Sequence, residues 1–337
     1  MPDQAKPYIG GQAVIEGVMM RAPTALTVAV RRPDGSLAVR EAPYRAKLGQ
    51  GPWKLPGFRG VASLVEALTL GMDAMSFSID QQITEEERAK GESSGGVLTA
   101  VISVALALVL FIGTPQALAL FVGRQLGLSF TLGSPLFHAI IGGFKLLVLL
   151  GYMVFLGSME ATRRVFEYHG AEHMTIHAYE QGLPLTVENV RRQTTLHPRC
   201  GTTFLVLVVL VSILVGSTVA PLVLPDAKGL AGQLMLLALR ISLLPVIAGV
   251  SFELQRFTAR YCTTGPLRFL LWPGFLFQKI STRRPTDDQL EVAIAAMESA
   301  AWRDRVGERA DTAAEPLVFA DFATFASALP TLRPERA

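Results

Sequence analysis

The sequence predicts an α-helical membrane protein with about four transmembrane helices and a small β-rich unit ahead of them. Half of the 337 residues are hydrophobic, only 18% are charged, and the mean hydropathy is +0.38. In an ordinary soluble domain about a quarter of the residues are charged. Four long apolar runs also reach the ~20 residues that a helix needs to cross a bilayer. A net charge of +3, dispersed along the chain, excludes the clustered basic surface of a nucleic-acid-binding protein.

Residues 1–60 are expected to form a cytoplasmic, β-rich N-terminal unit. Apolar and polar residues alternate in short runs over residues 13–39, and the turn sequence Pro33-Asp34-Gly35 separates two of these runs. The pattern therefore predicts short antiparallel strands around a tight turn.

Residues 61–96 are assigned to an interfacial helix and a polar linker. Residues 61–79 are apolar at helical spacing, but Glu66 and Asp73 interrupt the apolar surface. These charges favour a helix at the membrane interface, or one packed on the bundle, over a full span.

The predicted membrane bundle covers residues 97–254. Its spans are the runs that contain no acidic residue and at most one basic residue: Val97–Gly123, Leu136–Gly157, Thr203–Leu224 and Leu230–Phe252. The alternative, buried helices of a large soluble core, fits these lengths less well.

Basic residues near the ends of the spans predict the orientation of the bundle. Five arginines lie in the connection 158–203, and six basic residues lie between residues 255 and 284, whereas the other two connections hold one each. Because basic loops stay in the cytoplasm, both rich segments and both termini are expected there.

The chain after the last span is expected to contain an interfacial segment and a helix over residues 255–300. Thr286 and Gln289 form a capping-box pattern for a helix that continues to about Met297. Residues 301–337 are predicted to be a polar, partly disordered tail.

Four of the five histidines lie in the 158–203 connection, which makes it the richest candidate for chemistry. The segment Tyr168–His173 contains the pattern H-x-x-E-H. On a helix, His169 and His173 lie four residues apart on one face, which allows both imidazoles to bind one divalent ion. Glu172 beside them could act as a general base, as in proteases with this inverted motif. His177 extends the same face and is interpreted as supporting or incidental.

A second pair of candidate ligands follows downstream in the segment Leu196–Thr203. His197 and Cys200 lie three residues apart, with Pro198 and Gly201 favouring a tight turn between them and the next span. Imidazole and thiolate are both good zinc ligands, so the pair could complete a His/His/His/Cys set. The alternative is that these histidines form hydrogen bonds at a polar interface and Cys200 is a small buried residue.

Two cations lie inside predicted spans, Lys145 in the second and Arg240 in the fourth. A basic residue in hydrocarbon costs at least ~2–3 kcal/mol, and no acidic residue in these spans would neutralise either one. Snorkelling to the outer headgroups is the favoured interpretation. The functional alternative is a site for a lipid phosphate or an anionic substrate.

Four sequence blocks resemble the YqhQ-like family of uncharacterised bacterial membrane proteins, described as predicted metal-dependent enzymes. The blocks are GGQAVIEGVMMR at 10–21, YHGAEH at 168–173, the stretch from LTVENVRRQ to LHPRCGT at 185–202, and RRPTDDQLEVAIAA at 283–296. The resemblance covers nearly all of residues 8–297. It implies a protein of the bacterial inner membrane and does not imply a reaction.

The resemblance also implies site residues. It places a metal on the two motifs, that is on His169, Glu172, His173, His197 and Cys200. A glutamate of the first block corresponds to Glu16 and one after the last span to Glu253, and either could be an additional ligand or base. His177 lies outside the family pattern.

The leading hypothesis from the sequence is a zinc-dependent membrane hydrolase with a cytoplasmic-face site. His169 and His173 would bind Zn²⁺ with His197 or Cys200 as the third ligand, while Glu172 activates a metal-bound water toward a peptide or ester bond. Because catalysis needs an open coordination position, a full four-ligand set would instead be a structural site in a scaffold or regulatory protein.

A third hypothesis is a lipid-handling, anion-handling or transport protein that uses Lys145 and Arg240. Membrane lipids are the expected partners under each hypothesis, and nucleic acid is not.

Overall fold

The computed structural model describes residues 8–45, 51–83, 97–127, 134–224, 229–306 and 315–332. Its strands are β1 Gly10–Val14, β2 Gly17–Arg21, β3 Ala25–Arg31, β4 Leu37–Pro43 and β5 Leu317–Phe319. Its helices are α1 Phe58–Gln82, α2 Val97–Leu108, α3 Thr114–Gln125, α4 Pro135–Ser158, α5 Glu160–Glu180, α6 Val187–Arg191, α7 Gly201–Val223, α8 Gly229–Tyr261, α9 Trp272–Ser281, α10 Asp287–Val306 and α11 Phe322–Leu332. A π-helical turn over Val109–Gly113 joins α2 to α3, and 3₁₀ turns occur at Gly51–Lys54 and Pro266–Leu271.

The five strands form one antiparallel sheet in the order β1-β2-β3-β4-β5. The hairpin between β3 and β4 turns at the predicted place. There the Asp34 carboxylate accepts hydrogen bonds from the backbone N–H of Ser36 at 2.9 Å and from its hydroxyl at 2.6 Å. Gly35 takes the left-handed φ of 85° that the turn requires.

Helices cover both faces of the sheet. Alternate side chains such as Val18, Met20 and Leu37 point toward α5 and α10, while Met19 and Val28 point toward α1. Period-two alternation in a strand normally buries one face. Here both faces carry apolar residues, so the sheet lies between two helical layers.

Five helical stretches are long and apolar enough to cross a membrane, one more than predicted: α1, α2–α3, α4, α7 and α8. The last four coincide with the predicted spans and expose many large apolar side chains, as a lipid-facing surface requires. The additional stretch, α1, packs on α8 through its first turn, where a Cβ on Gly60 would lie 2.7 Å from Phe252 Cβ, and on the sheet further along. Its Asp73 accepts a hydrogen bond from Arg40 at 2.6 Å, and its Glu66 accepts one from the Tyr44 hydroxyl at 2.9 Å.

The C-terminal part of the chain is more ordered than the sequence predicted. α10 begins after a Thr286 N–H to Gln289 Oε1 hydrogen bond of 2.9 Å, as the capping pattern indicated, but it continues to Val306. Strand β5 pairs with β4 and α11 follows it, so residues 315–332 are not a disordered tail. Phe319 and Phe325 explain this, since both side chains are buried, at 8% and 1% exposure. The remaining tail residues, 307–314 and 333–337, lie outside the described residues.

Helix α5 begins directly after α4 and is hydrogen-bonded to the loop between α9 and α10. The N–H of Arg283 donates to the carbonyl of Phe166 at 2.9 Å. A Cβ on Gly170 would lie 1.9 Å from the Arg283 carbonyl oxygen. This position of α5 therefore tolerates only glycine at the observed distance.

We expect Gly170→Ala to lower the free energy of unfolding by about 1–3 kcal/mol, because the added methyl group overlaps a backbone carbonyl that cannot rotate away. Gly151→Ala in α4 is the matched control, since nothing lies within 4 Å of the position that its added methyl group would take, and it should match the wild type or exceed its stability by up to about 1 kcal/mol, because alanine is the better helix former. Chemical unfolding in detergent micelles measures both variants. Equal stability of Gly170→Ala and wild type would contradict the close packing of α5.

Candidate metal centre

Helix α5 presents His169, His173 and His177 at intervals of four residues, so the three imidazoles follow one face of the helix. The rings of His169 and His173 have centroids 4.5 Å apart. His173 is 1% exposed. These ionisable groups are thus brought into the interior, where each needs a partner.

Backbone carbonyls orient two of the rings. His169 Nδ1 lies 2.8 Å from the carbonyl oxygen of Ser281, and His173 Nδ1 lies 2.5 Å from that of Thr195. A carbonyl oxygen can only accept, so both Nδ1 atoms carry the proton. The Nε2 atoms therefore face away from these carbonyls, which is how metal-binding histidines are held in proteins.

Cys200 faces these Nε2 atoms from the first turn of α7. Its Sγ lies 3.2 Å from His169 Nε2 and accepts a hydrogen bond from the Thr202 N–H at 3.4 Å, which makes it the N-cap of the helix. A helix N-terminus favours a thiolate. The side-chain amide of Gln255, on α8, donates a hydrogen bond to the Cys200 carbonyl at 2.8 Å.

The loop before Cys200 is fixed by a buried glutamine of α9. Gln278 accepts a hydrogen bond from the His197 N–H and donates one to the His197 carbonyl, both at 2.8 Å. This paired contact sets the turn between His197 and Cys200.

His169, His173 and Cys200 fit a zinc ion. Their potential ligand atoms all lie within 4.8 Å of one another. Tetrahedral Zn–S and Zn–N bonds of ~2.3 and ~2.05 Å place sulfur and nitrogen ~3.5 Å apart. The Nε2–Sγ distance of 3.2 Å would need only a small expansion to admit the ion, and two imidazoles with a thiolate favour zinc over Mg²⁺ or Ca²⁺.

Without a metal, Cys200 and His169 form a charged pair. Burial opposes the thiolate, but the charges of His169 and His173 outweigh it and hold the pKa of the Cys200 thiol well below its ordinary value. Burial likewise opposes the His169 cation, but the Cys200 thiolate raises the pKa of His169 to about 9. The two opposite shifts favour a thiolate paired with an imidazolium.

Glu172 lies beside this pair and is 5% exposed. It packs against β1, where a Cβ on Gly11 would lie 2.6 Å from Glu172 Cγ. Burial raises the pKa of the Glu172 carboxyl, and the neighbouring His173 and His169 oppose this effect. A carboxyl group with a raised pKa in a cavity is suited to proton transfer near neutral pH.

His197 belongs to a second group, with His177 and Glu180. Their potential ligand atoms also lie within 4.8 Å of one another. Burial lowers the pKa of His197 to about 4, so its ring is neutral, and Nε2 lies 3.7 Å from Glu180. Arg199 forms the ion pair that neutralises Glu180, and His177 Nε2 bonds the Leu196 carbonyl at 2.9 Å. The ligand atoms of His197 thus group with His177 and Glu180 and not with Cys200, although its ring centroid lies 5.5 Å from that of His173 and it lines the same cavity.

The two additional glutamates that the family resemblance indicated lie elsewhere. Glu16, at a φ of 52°, accepts two hydrogen bonds of 2.5 Å from Arg164. Glu253 accepts one of 2.6 Å from Arg59 Nε. Each carboxylate has an arginine partner, and neither lines the cavity with the histidines. Both glutamates therefore join elements of the fold.

A cavity of about 430 Å³ gives access to the centre. The side chains of His169, Glu172, His173 and Cys200 line it, together with β1 and the chain preceding it. Arg199 stacks over the ring of Tyr8 at its edge, 4.4 Å from the centroid. Three other residues shape the site, Tyr8, Gly11 and Gln278, and none of them belongs to a recognisable ligand motif in the sequence. Gly11 does lie in a block that carries the family resemblance.

Lys145 and Arg240 lie apart from this centre. They line a separate cavity inside the bundle, with Lys145 on α4 and Arg240 on α8.

In metal-free protein we expect Cys200 to react with iodoacetamide at neutral pH, because the neighbouring imidazoles lower its pKa. His169→Ala should shift the onset of reaction toward alkaline pH, since it removes the main positive partner. Peptide mass spectrometry across a pH series measures alkylation of each cysteine. Cys262, which is 0% exposed, is the internal control and should stay unmodified. Alkylation of wild-type Cys200 that begins only near the ordinary thiol pKa of about 8.5 would contradict the pairing.

Comparison with known proteins identifies the family. The chain matches the family described as "Protein of unknown function (DUF1385)" over residues 55–302. It is 37% identical over 305 residues to "Uncharacterized protein YqhQ" of Bacillus subtilis (strain 168), covering 86% of this chain and 90% of that protein. No solved structure matches it. These matches confirm the resemblance that the YHGAEH and HPRCG blocks indicated, and the chain belongs to the DUF1385 family.

Proposed function

We propose that the protein is a zinc-dependent membrane hydrolase with its active site on the cytoplasmic side. The observation that carries the proposal is the grouping of His169, His173 and Cys200 around one point, with Glu172 on the same cavity. Catalytic zinc sites have three protein ligands and an open fourth position, whereas structural sites have four. The grouping of the His197 ligand atoms with His177 and Glu180, and not with Cys200, supports the catalytic alternative.

A zinc ion held by these three residues would act as a Lewis acid and lower the pKa of a bound water toward ~7. Glu172 would take a proton from that water and return it to the leaving group. The carbonyls of Ser281 and Thr195 hold the two imidazoles in the orientation that binding requires. The cavity volume of about 430 Å³ lies in the usual range of small-ligand pockets and suits a short peptide or ester segment.

We further propose a bacterial inner-membrane location with four spans and both termini in the cytoplasm. The C-terminal end of α4, the start of α7 and the chain after α8 all meet at the metal centre. Hydrogen bonds link α1 to the sheet and the residues next to it at two places. Glu66 and Asp73 form them in the middle part of the helix, and Gln81 accepts one from Arg32 at 2.8 Å near its C-terminal end. On this proposal α1 lies against the sheet at the membrane surface instead of crossing the bilayer, and the basic connections favour the cytoplasm for this side.

Metal content should depend on His173 and not on His197. We expect purified wild-type protein to hold about one zinc per chain, and His173→Ala to lose most of it because a ligand is removed. His197→Ala is the matched histidine control, equally buried, and should keep its zinc. Elemental analysis by mass spectrometry measures both. Loss of zinc from both variants would favour the closed structural site, and its absence from the wild type would refute a zinc centre.

Glu172→Gln should retain zinc and lose hydrolysis by about 10²–10⁴-fold, the usual scale for a general base, because the amide keeps the shape but cannot take a proton. A panel of fluorogenic ester and peptide substrates measures activity, with zinc content determined in parallel. Glu188→Gln, on the exposed helix α6, is the carboxylate control and should be silent. Full activity of zinc-loaded Glu172→Gln would rule out this residue as the base.

A further inference from the structure

A second cavity, about 100 Å³ in volume, lies inside the membrane bundle between α4, α7 and α8. Lys145 and Arg240 line it from opposite helices. The rest of the wall is apolar except for His138 and Ser212. This cavity is separate from the metal centre, so an inference about it does not depend on the proposed hydrolase.

Neighbouring side chains hold Arg240 within the bundle. Its Nη1 donates to Gln116 Oε1 at 2.8 Å, and its Nη2 lies 3.4 Å from His138 Nδ1. Gln116 is in turn fixed by Gln233 at 3.3 Å. Snorkelling to the headgroups, the favoured interpretation from the sequence, does not describe this guanidinium. Its remaining N–H donors are available to a ligand.

The charges around the cavity are unbalanced. Two cationic side chains line it, and no carboxylate is among the lining residues. Like charges repel strongly where the surroundings are apolar, and basic residues within a membrane are normally paired or face a polar pathway. An anion placed between Lys145 and Arg240 would offset this repulsion.

We propose that this cavity binds one phosphate-type oxyanion, either inorganic phosphate or the phosphodiester of an anionic lipid. A guanidinium presents paired donors that match phosphate oxygens, and an ammonium adds a compact charge. The cavity, about 100 Å³ in volume, has room for one tetrahedral oxyanion.

The two cations lie at the same depth. Lys145 is ten residues from the start of α4 and Arg240 is eleven from the start of α8, or about 15 and about 16 Å at ~1.5 Å per residue. A lipid phosphate would thus have to move below the headgroup level, whereas a free anion would have to enter from water. The experiment separates these two sources.

The full-length protein is reconstituted in phosphatidylcholine nanodiscs, and its melting temperature is followed during titration with inorganic phosphate. A parallel preparation contains phosphatidylglycerol and no phosphate, and sodium chloride at equal ionic strength is the reference. We expect one phosphate source to raise the melting temperature of the wild type. Lys145→Met should bind it at least tenfold more weakly, and Lys145→Arg should retain binding.

Lys145→Met should also melt higher than the wild type in phosphatidylcholine alone, because it removes an unneutralised charge from the bundle. Arg240→Gln is a second variant and should likewise lose the anion response. Arg124→Gln removes an exposed cation at the end of α3 and should respond as the wild type does. A response to phosphatidylglycerol alone assigns the lipid, and one to inorganic phosphate assigns the free anion. No response to either, an equal response in Lys145→Met, or an equal response to chloride would overturn the proposal.

Discussion

Helix α5 carries three histidines into a layer that is closed by the sheet on one side and by two loops on the other. Buried polar groups are unfavourable unless they are hydrogen-bonded. Here the carbonyls of Ser281, Thr195 and Leu196 each accept a hydrogen bond from one imidazole. These carbonyls belong to the end of α9 and the loop before α7, so neither segment can shift without leaving a buried ring unsatisfied. The position of Cys200 depends on the same constraint, because the loop that satisfies two of the rings ends at this residue.

The candidate metal centre therefore joins two parts of the molecule. His169 and His173 come from the layer that packs on the sheet, whereas Cys200 caps the first turn of an apolar helix of the bundle. Two glycines allow α5 to pack closely against its neighbours. Gly170 leaves room for the Arg283 carbonyl, and Gly11 of β1 leaves room for the Glu172 side chain. The donor atoms are thus placed on rigid elements whose neighbours hold their orientation, which is what a binding site requires of its support.

The parts of this fold that could be predicted are those that depend on local pattern. Apolar length located four of the five apolar helices, and helical spacing placed His169 and His173 on one face. The role of α1 could not be settled locally, because the partners of its acidic residues lie on strand β4 and just beyond it. Strand β5 has three residues, too few for a period-two pattern. The three-residue spacing between His197 and Cys200 predicted shared ligation, whereas the His197 ligand atoms group with His177 and Glu180, and the turn between the two residues depends on Gln278, 81 residues later.

The two cavities differ in how their charges are balanced. In the metal centre the Cys200 thiolate and the His169 imidazolium neutralise each other, so the metal-free form carries no unpaired charge between them. A zinc ion bound there would replace the Nε2 proton, which would couple metal affinity to pH. In the bundle, Lys145 and Arg240 have the same sign, and proton transfer between them cannot neutralise the pair. The metal centre can therefore be stable without an ion, whereas the bundle cavity gains stability from a bound anion.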